Sequence, residues 1–232
     1  HTAVMLCSLF ERNKNNIFCI YLLTPDISPI SKQRLDNLCK YYNSEFVTYI
    51  CSTNEIIHFP IGQWNIVMYL KLLMPQLLPT NIERCLFLDV DIIINADITE
   101  LYHIDLVDNI IAAAEDIPDC IYIKKRLGLP QNELYINSGV MVCNLRAWRK
   151  LEIQLPIFNF IHSIIDKIQN EQDVIALYFC GKIKKLPIRW NMVTFYFNRV
   201  PNIFPQYLPE LKEAKIQPAI IHFAAPIKPW FC

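Results

Sequence analysis

Short unbroken apolar runs alternate along the chain with longer stretches in which apolar residues recur every three or four positions. The first pattern marks strands buried on both faces, the second helices with one apolar stripe. Residues 17–23 (IFCIYLL) form a run of the first kind. Ser28-Pro29 then opens a helix through about Asn43, with Leu35, Leu38 and Tyr42 at helical spacing and proline where a helix start tolerates it. Residues 45–51 (EFVTYIC) read as a strand, because β-branched and aromatic side chains suit a pleated surface. A longer apolar helix is expected between Trp64 and Leu78, kinked or ended near Pro75, which lacks a backbone donor. RCLFL (84–88) is a short strand running straight into Asp89-Val90-Asp91, and IIAAA (110–114) and YINSGVMV (135–142) are further strands. Leu145 opens a helical stretch that continues through 157–168 and 172–179, and the tail after Gly181 is punctuated by prolines. HTAVMLCSLF, at the start, also reads as helix. This alternation predicts one α/β domain over residues 1–232, with a parallel or mixed sheet flanked by helices.

Composition narrows the classes. Apolar residues make up 53% of the chain and charged residues 19%, which excludes a disordered chain. Lys+Arg and Asp+Glu both number 22, and a neutral chain lacks the basic surplus on which nucleic-acid binding depends, so no nucleic-acid partner is expected. No two glycines lie closer than Gly128 and Gly139, so no GxGxxG, P-loop or GxSxG motif exists. Any bound phosphate must then be held by side chains and a metal. The nine cysteines form no CxxC pair, and several, such as Cys19 and Cys143, sit in apolar runs. They read as reduced core thiols of a cytoplasmic protein. No apolar run approaches ~18 residues and no leader pattern is present, so no transmembrane segment is expected. The opening His1 suggests an excised piece of a longer protein.

Asp89 and Asp91 stand just beyond the carboxyl end of a strand, where open α/β sheets place their ligand crevices. Two carboxylates one residue apart can turn toward a single hard cation, with Mg²⁺ or Mn²⁺ the natural guest. A strand followed by D-x-D also opens haloacid-dehalogenase-like phosphatases, where the first aspartate is a nucleophile. That pattern wants Thr or Val where Ile93 stands and a later GDxxxD, which the chain lacks.

FLDVDIIINADITELYHIDL, NIIAAAED, YINSGVMVCNLRAWRK, NEQDVIALYF and IIHFAAPIKPW occur in this order. The series resembles glycosyltransferase family 8, the family of glycogenin and the bacterial lipopolysaccharide galactosyl- and glucosyltransferases, from about residue 17 to the end. The resemblance implies a single-domain GT-A fold with a mixed sheet flanked by helices. It implies retaining transfer of galactose or glucose from UDP-galactose or UDP-glucose to an oligosaccharide or lipopolysaccharide acceptor. Such an acceptor places the enzyme in the cytoplasm, as a peripheral protein at the cytoplasmic face of the inner membrane.

Site residues follow from the same resemblance. Asp89 and Asp91, with Val90 between them, and His222 are the ligands of Mn²⁺, or of Mg²⁺, bridging the donor diphosphate. Lys228 contacts the diphosphate, Lys71 stands in Y-x-K where many relatives carry arginine toward the donor, and Trp230 packs. Asp116 and Asn137 touch the transferred hexose, and Gln172 lies beneath its anomeric carbon between Glu171 and Asp173. Three departures stand out: Lys71 lacks the guanidinium fork, Ala225 puts a methyl where relatives have glycine, and Glu171 is longer than the aspartate it replaces. Relatives also begin with a strand that binds uracil and ribose. The chain is therefore expected to lack that first strand, and a truncated, catalytically impaired relative that keeps the fold is the alternative reading.

Overall fold

The computed structural model describes residues 1–117, 120–198, 205–225 and 228–231. Its strands are β1 (Cys19–Thr24), β2 (Glu45–Ile50), β3 (Arg84–Leu88), β4 (Ile92–Ile94), β5 (Ile111–Glu115), β6 (Ile136–Asn144), β7 (Ile183–Leu186), β8 (Met192–Val193) and β9 (Ile220–His222). They fall into three sheets, ordered β1-β2, β3-β6-β5-β7 and β4-β9-β8. The central sheet is mixed, as expected: β6 runs antiparallel to β3 and β5, and β7 runs parallel to β5.

The apolar runs explain the core. Every residue of β5 is buried, as is β6 from Ile136 through Cys143. On one face of these strands pack Tyr69, Trp148 and Phe179. On the other face lie Leu6, Leu9 and Phe10 of the opening helix Thr2–Arg12, together with Ile92, Ile94 and Val140. Each fully buried side chain of this size contributes roughly 1.5–3 kcal/mol. Asn144 caps the helix Leu145–Gln154 by accepting the Ala147 N–H, and Asn170 caps Glu171–Tyr178 by accepting the Asp173 N–H. No described helix is long and apolar enough to cross a membrane.

Three expectations need correction. The stretch expected as a helix over 64–78, kinked or ended near Pro75, is a 3-10 helix, Ile66–Leu73, followed by a single α turn, Met74–Leu77. In an α-helix the Lys71 carbonyl would accept from the residue four positions on, which is Pro75 and has no N–H. The Met74 N–H takes that carbonyl instead, which tightens the turn. The helix expected from Ser28-Pro29 through about Asn43 opens there and spans Pro29–Tyr41, and Asn43 turns the chain with a φ of 53°.

The third concerns β1, expected to be buried on both faces. Cys19 is exposed and the rest of the strand only half-buried. Among the described residues β1 pairs only with β2, and β3 only with β6, so each keeps one edge unpaired by them. Both strands line a single cavity of about 1250 Å³. The eight described cysteines are free thiols, but only Cys39, Cys51, Cys120 and Cys143 are buried.

Candidate active site

The strand ends deliver the site. Asp89 and Asp91 follow β3, Asp116 follows β5, Asn137 and Ser138 lie near the start of β6, and His222 ends β9. The capped helix Glu171–Tyr178 begins with Glu171 and Gln172. Lys71, Val90, Ala225 and Lys228 line the same cavity, so every residue expected at the site faces one space.

The acidic pair meets the histidine through sheet register. Ile92 pairs with His222 across β4 and β9, and the Phe223 N–H donates to the Asp91 carbonyl. His222 Nε2 then stands 3.3 Å from Asp91 Oδ1 and 3.8 Å from Asp89 Oδ2. One donor atom from each of the three residues falls within 4.8 Å of the others. Neighbouring ligands on a small divalent ion bound at about 2.1 Å stand about 3 Å apart, so the donor set fits such an ion with little movement. Gly139 makes room for the ring, because a Cβ there would lie 2.2 Å from His222 Cε1.

Burial and charge split the two aspartates. Burial pushes the Asp89 carboxyl above its ordinary value, despite Lys71 and His222 nearby. Burial acts on Asp91 in the same direction, but His222 and Lys228 outweigh it and hold that carboxyl at about 2. Lys228 Nζ donates to Asp91 Oδ2 at 2.6 Å and to the Phe223 carbonyl. Lys71 is buried; it donates to Glu171 Oε1 at 3.0 Å and to Ser138 Oγ at 2.9 Å, and stands 3.5 Å from Asp89 Oδ1. Its positive charge thus couples Glu171 to the first aspartate.

Deeper in the cavity the polar groups are locked to one another. Gln172 Oε1 accepts the Ser138 N–H at 3.1 Å, and Gln172 Nε2 donates to Asp116 Oδ2 at 3.2 Å. Burial raises the Asp116 carboxyl above its usual value in spite of that bond. Asp173 is fully buried and takes Arg126 on both oxygens, along with the Tyr135 hydroxyl and the Gln169 N–H. It anchors the helix and does not line the cavity. Trp230 stacks on His1 with ring centroids 3.9 Å apart.

Sequence reasoning passed over Ser138 and Asn191. Ser138 was within reach, since it adjoins Asn137 in the INSGV segment. Asn191 carries no such signal: it ends a short 3-10 turn, Ile188–Asn191, and is buried between Asn137 and His222.

The sequence model of glycosyl transferase family 8 matches residues 1–232. The chain belongs to this family. Family 8 enzymes typically use a divalent metal, and Asp89, Asp91 and His222 are the candidate site for one. Among similar proteins, General stress protein A of Bacillus subtilis (strain 168) is 26% identical over 91% of this chain and 76% of its own length. A lipopolysaccharide 1,2-glucosyltransferase of Escherichia coli is 25% identical over 98% of the chain and 68% of its own. The galactosyltransferase LgtC, solved with donor and acceptor sugar analogs, superposes with a TM-score of 0.84 at 22% identity, over 99% of this chain and 84% of LgtC. The fold is therefore the GT-A fold of glycosyltransferases, and sugar transfer is the activity that family membership supports.

Proposed function

We propose that the chain is a metal-dependent retaining hexosyltransferase. On this reading it moves galactose or glucose from UDP-galactose or UDP-glucose to a saccharide acceptor, lipopolysaccharide or lipooligosaccharide core. One observation carries it: the Asp89–Asp91–His222 cluster and the Gln172–Asp116 pair line one cavity. A diphosphate and a sugar ring can be served there side by side. The lipopolysaccharide glucosyl- and galactosyltransferases among the relatives motivate the acceptor class. They also motivate a peripheral location at the cytoplasmic face of the inner membrane.

Asp89, Asp91 and His222 would hold the ion. Nitrogen beside two carboxylates suits Mn²⁺ better than Mg²⁺, which prefers oxygen and water. When bound, the ion neutralises negative charge growing on the diphosphate as the glycosidic bond breaks. Lys228, a point charge already beside Asp91, adds a second positive charge against the leaving group. Lys71, Val90, Asn137 and Ala225 complete the donor side.

The stereochemical course follows from Gln172. Double displacement needs a carboxylate beneath the anomeric carbon, and the neutral amide of Gln172 is a feeble nucleophile. We therefore favour a front-face path. The bond from the anomeric carbon to phosphate oxygen breaks, the acceptor oxygen bonds that carbon from the same face, and its proton passes to the departing phosphate oxygen. Gln172, clamped by Ser138 and Asp116, turns a fixed amide dipole toward the developing positive charge. Asp116 and Asn137 hold ring hydroxyls, and Glu171 keeps negative charge nearby.

A second reading, an impaired relative that keeps the fold, is favoured by the unpaired edges of β1 and β3. We propose that this slot is the place of a further strand of the same single domain, carrying contacts to uracil and ribose. A panel of UDP-sugars, assayed with and without Mn²⁺, tests both readings. The first expects Mn²⁺-dependent transfer from UDP-galactose or UDP-glucose with the donor's α configuration kept in the product NMR spectrum. Undiminished transfer in EDTA defeats the metal assignment, and no turnover of any donor leaves the second reading standing.

A further inference from the structure

Asn191 is fixed in one orientation by a chain of hydrogen bonds whose polarity starts at a backbone amide. The Gly139 N–H can only donate, so the Asn137 atom that receives it at 3.1 Å is the carbonyl oxygen Oδ1. Asn191 approaches that same oxygen at 2.8 Å and the Asn137 backbone carbonyl at 3.3 Å. Both are acceptors, so the group facing them is the Asn191 amide Nδ2–H₂. Its own Oδ1 is then turned the other way, 2.9 Å from His222 Nδ1. An acceptor at that distance requires the proton on Nδ1. Nε2, facing Asp89 and Asp91, is the nitrogen left to offer a lone pair. Asn191 is buried and does not line the cavity, so its amide is partnered by protein groups.

The opposite arrangement has a driving force of its own. In the metal-free protein two carboxylates face Nε2, and a neutral ring would gain by donating Nε2–H to Asp91. That tautomer leaves a bare Nδ1 against Asn191 Oδ1, two acceptors in a buried site. Asn191 cannot relieve the conflict by flipping, because its amide oxygen would then meet the two carbonyls of Asn137. Gly139 packs against Cε1 and Nδ1 of the ring, so closely that even a methyl there would collide.

We infer that Asn191 is a positioning residue of the metal centre, holding His222 in the Nδ1–H tautomer so that Nε2 is preset as a ligand, and tying that choice to Asn137 on the sugar side of the cavity. The inference rests on the proposed metal role of Asp89, Asp91 and His222. Partners that fix the tautomer of a ligating histidine typically change metal affinity by 10- to 100-fold.

The test separates the two. In metal-free protein carrying ¹⁵N-histidine, two-bond ¹H–¹⁵N spectra should show the neutral His222 ring as the Nδ1–H tautomer. Asn191→Leu should shift it toward Nε2–H. MnCl₂ is then titrated calorimetrically into both proteins, with and without UDP. Wild type should bind, and Asn191→Leu should bind roughly 10- to 100-fold more weakly. An Nε2–H tautomer in wild type overturns the inference, even if the variant fails to fold. Equal Mn²⁺ affinity in the two proteins overturns the positioning role while the metal reading survives. Absence of Mn²⁺ binding by folded wild type, with or without UDP, overturns both.

Discussion

The cavity wall formed by β3 is backed by β6 and β5, which are buried at every residue from Ile136 to Cys143 and from Ile111 to Glu115, with both edges of each strand paired. Across from it, β1 is half-buried or exposed throughout and, among the described residues, pairs on one edge only. The proposed chemistry hangs on the first wall: Asp116 follows β5, Asn137 and Ser138 belong to β6, and Asp89 reaches β6 through its N–H to the Gly139 carbonyl. A reaction centre needs its groups held to fractions of an ångström, and a fully paired, fully buried sheet supplies that rigidity. The open wall carries little of that demand. Its contribution is surface for the donor, so damage there should appear in donor affinity before it appears in turnover.

Stability should show the contrast most strongly. Trp148 is completely buried and meets Phe179 edge-on at 4.8 Å. Trp148→Ala should cost about 3–5 kcal/mol in urea unfolding. Leu22, half-buried on β1, already faces the cavity, and Leu22→Ala should cost less than about 1.5 kcal/mol. Equal losses would mean that the two walls are packed alike.

Turnover should divide in the same way. Asp91→Asn is expected to lower kcat by on the order of a hundredfold or more, about 3 kcal/mol, with wild type losing activity comparably in EDTA. Leu22→Ala should change kcat by less than about threefold and act on donor KM instead. A large kcat loss from the β1 variant would place the reaction centre nearer the open wall.

A smaller effect is expected at Gln172. Its amide is held on both ends by Ser138 and Asp116, so Gln172→Ala removes orientation and a dipole without removing a nucleophile. Transfer should slow by roughly ten- to a hundredfold without being abolished. Gln172→Glu should not raise the rate, and intact-mass spectra under turnover should show no hexose on the enzyme. A trapped glycosyl-enzyme at residue 172 or at Glu171 would replace the front-face path with double displacement.

The closed wall was legible in the sequence because its signals are local. IIAAA and YINSGVMV are apolar runs long enough to read as buried strands, and Asp89-Val90-Asp91 follows such a run directly. What escaped depends on distant partners. β4 and β9 are three residues each, too short for a periodic pattern, and exist because each supplies the other's hydrogen bonds. β1 has the composition of a buried strand and lies half-exposed because an edge partner is absent among the described residues, which composition does not encode. The break at Pro75 was legible in the 64–78 stretch, but the 3-10 winding before it was not. Asn191 was unreadable for the same reason as β9. Its role is set by Asn137 and His222, far away in the chain, and no spacing announces it.

The smallest expected effect sets stability against function on the closed wall itself. Burial raises the Asp116 carboxyl above its ordinary value of 3.8. In the window above that value the unfolded chain has already released the proton that the folded chain still holds. The folded state then binds more protons, so stability falls as pH climbs through the window and stays lower above the folded-state value. Asp116→Asn removes the ionisation and nearly preserves the shape, and its carbonyl can still accept from Gln172. The variant should therefore melt higher than wild type at pH 7, with the difference vanishing at pH 3, where both side chains are neutral. It should also transfer sugar more slowly wherever the wild-type side chain is ionised, because a neutral amide accepts a hydroxyl proton less strongly than a carboxylate. Thermal melts at the two pH values, with kcat alongside, check this directly. A variant less stable than wild type at pH 7 would mean that Asp116 is stabilised by its ionised contacts, and the wall would then bear no stability cost for its function.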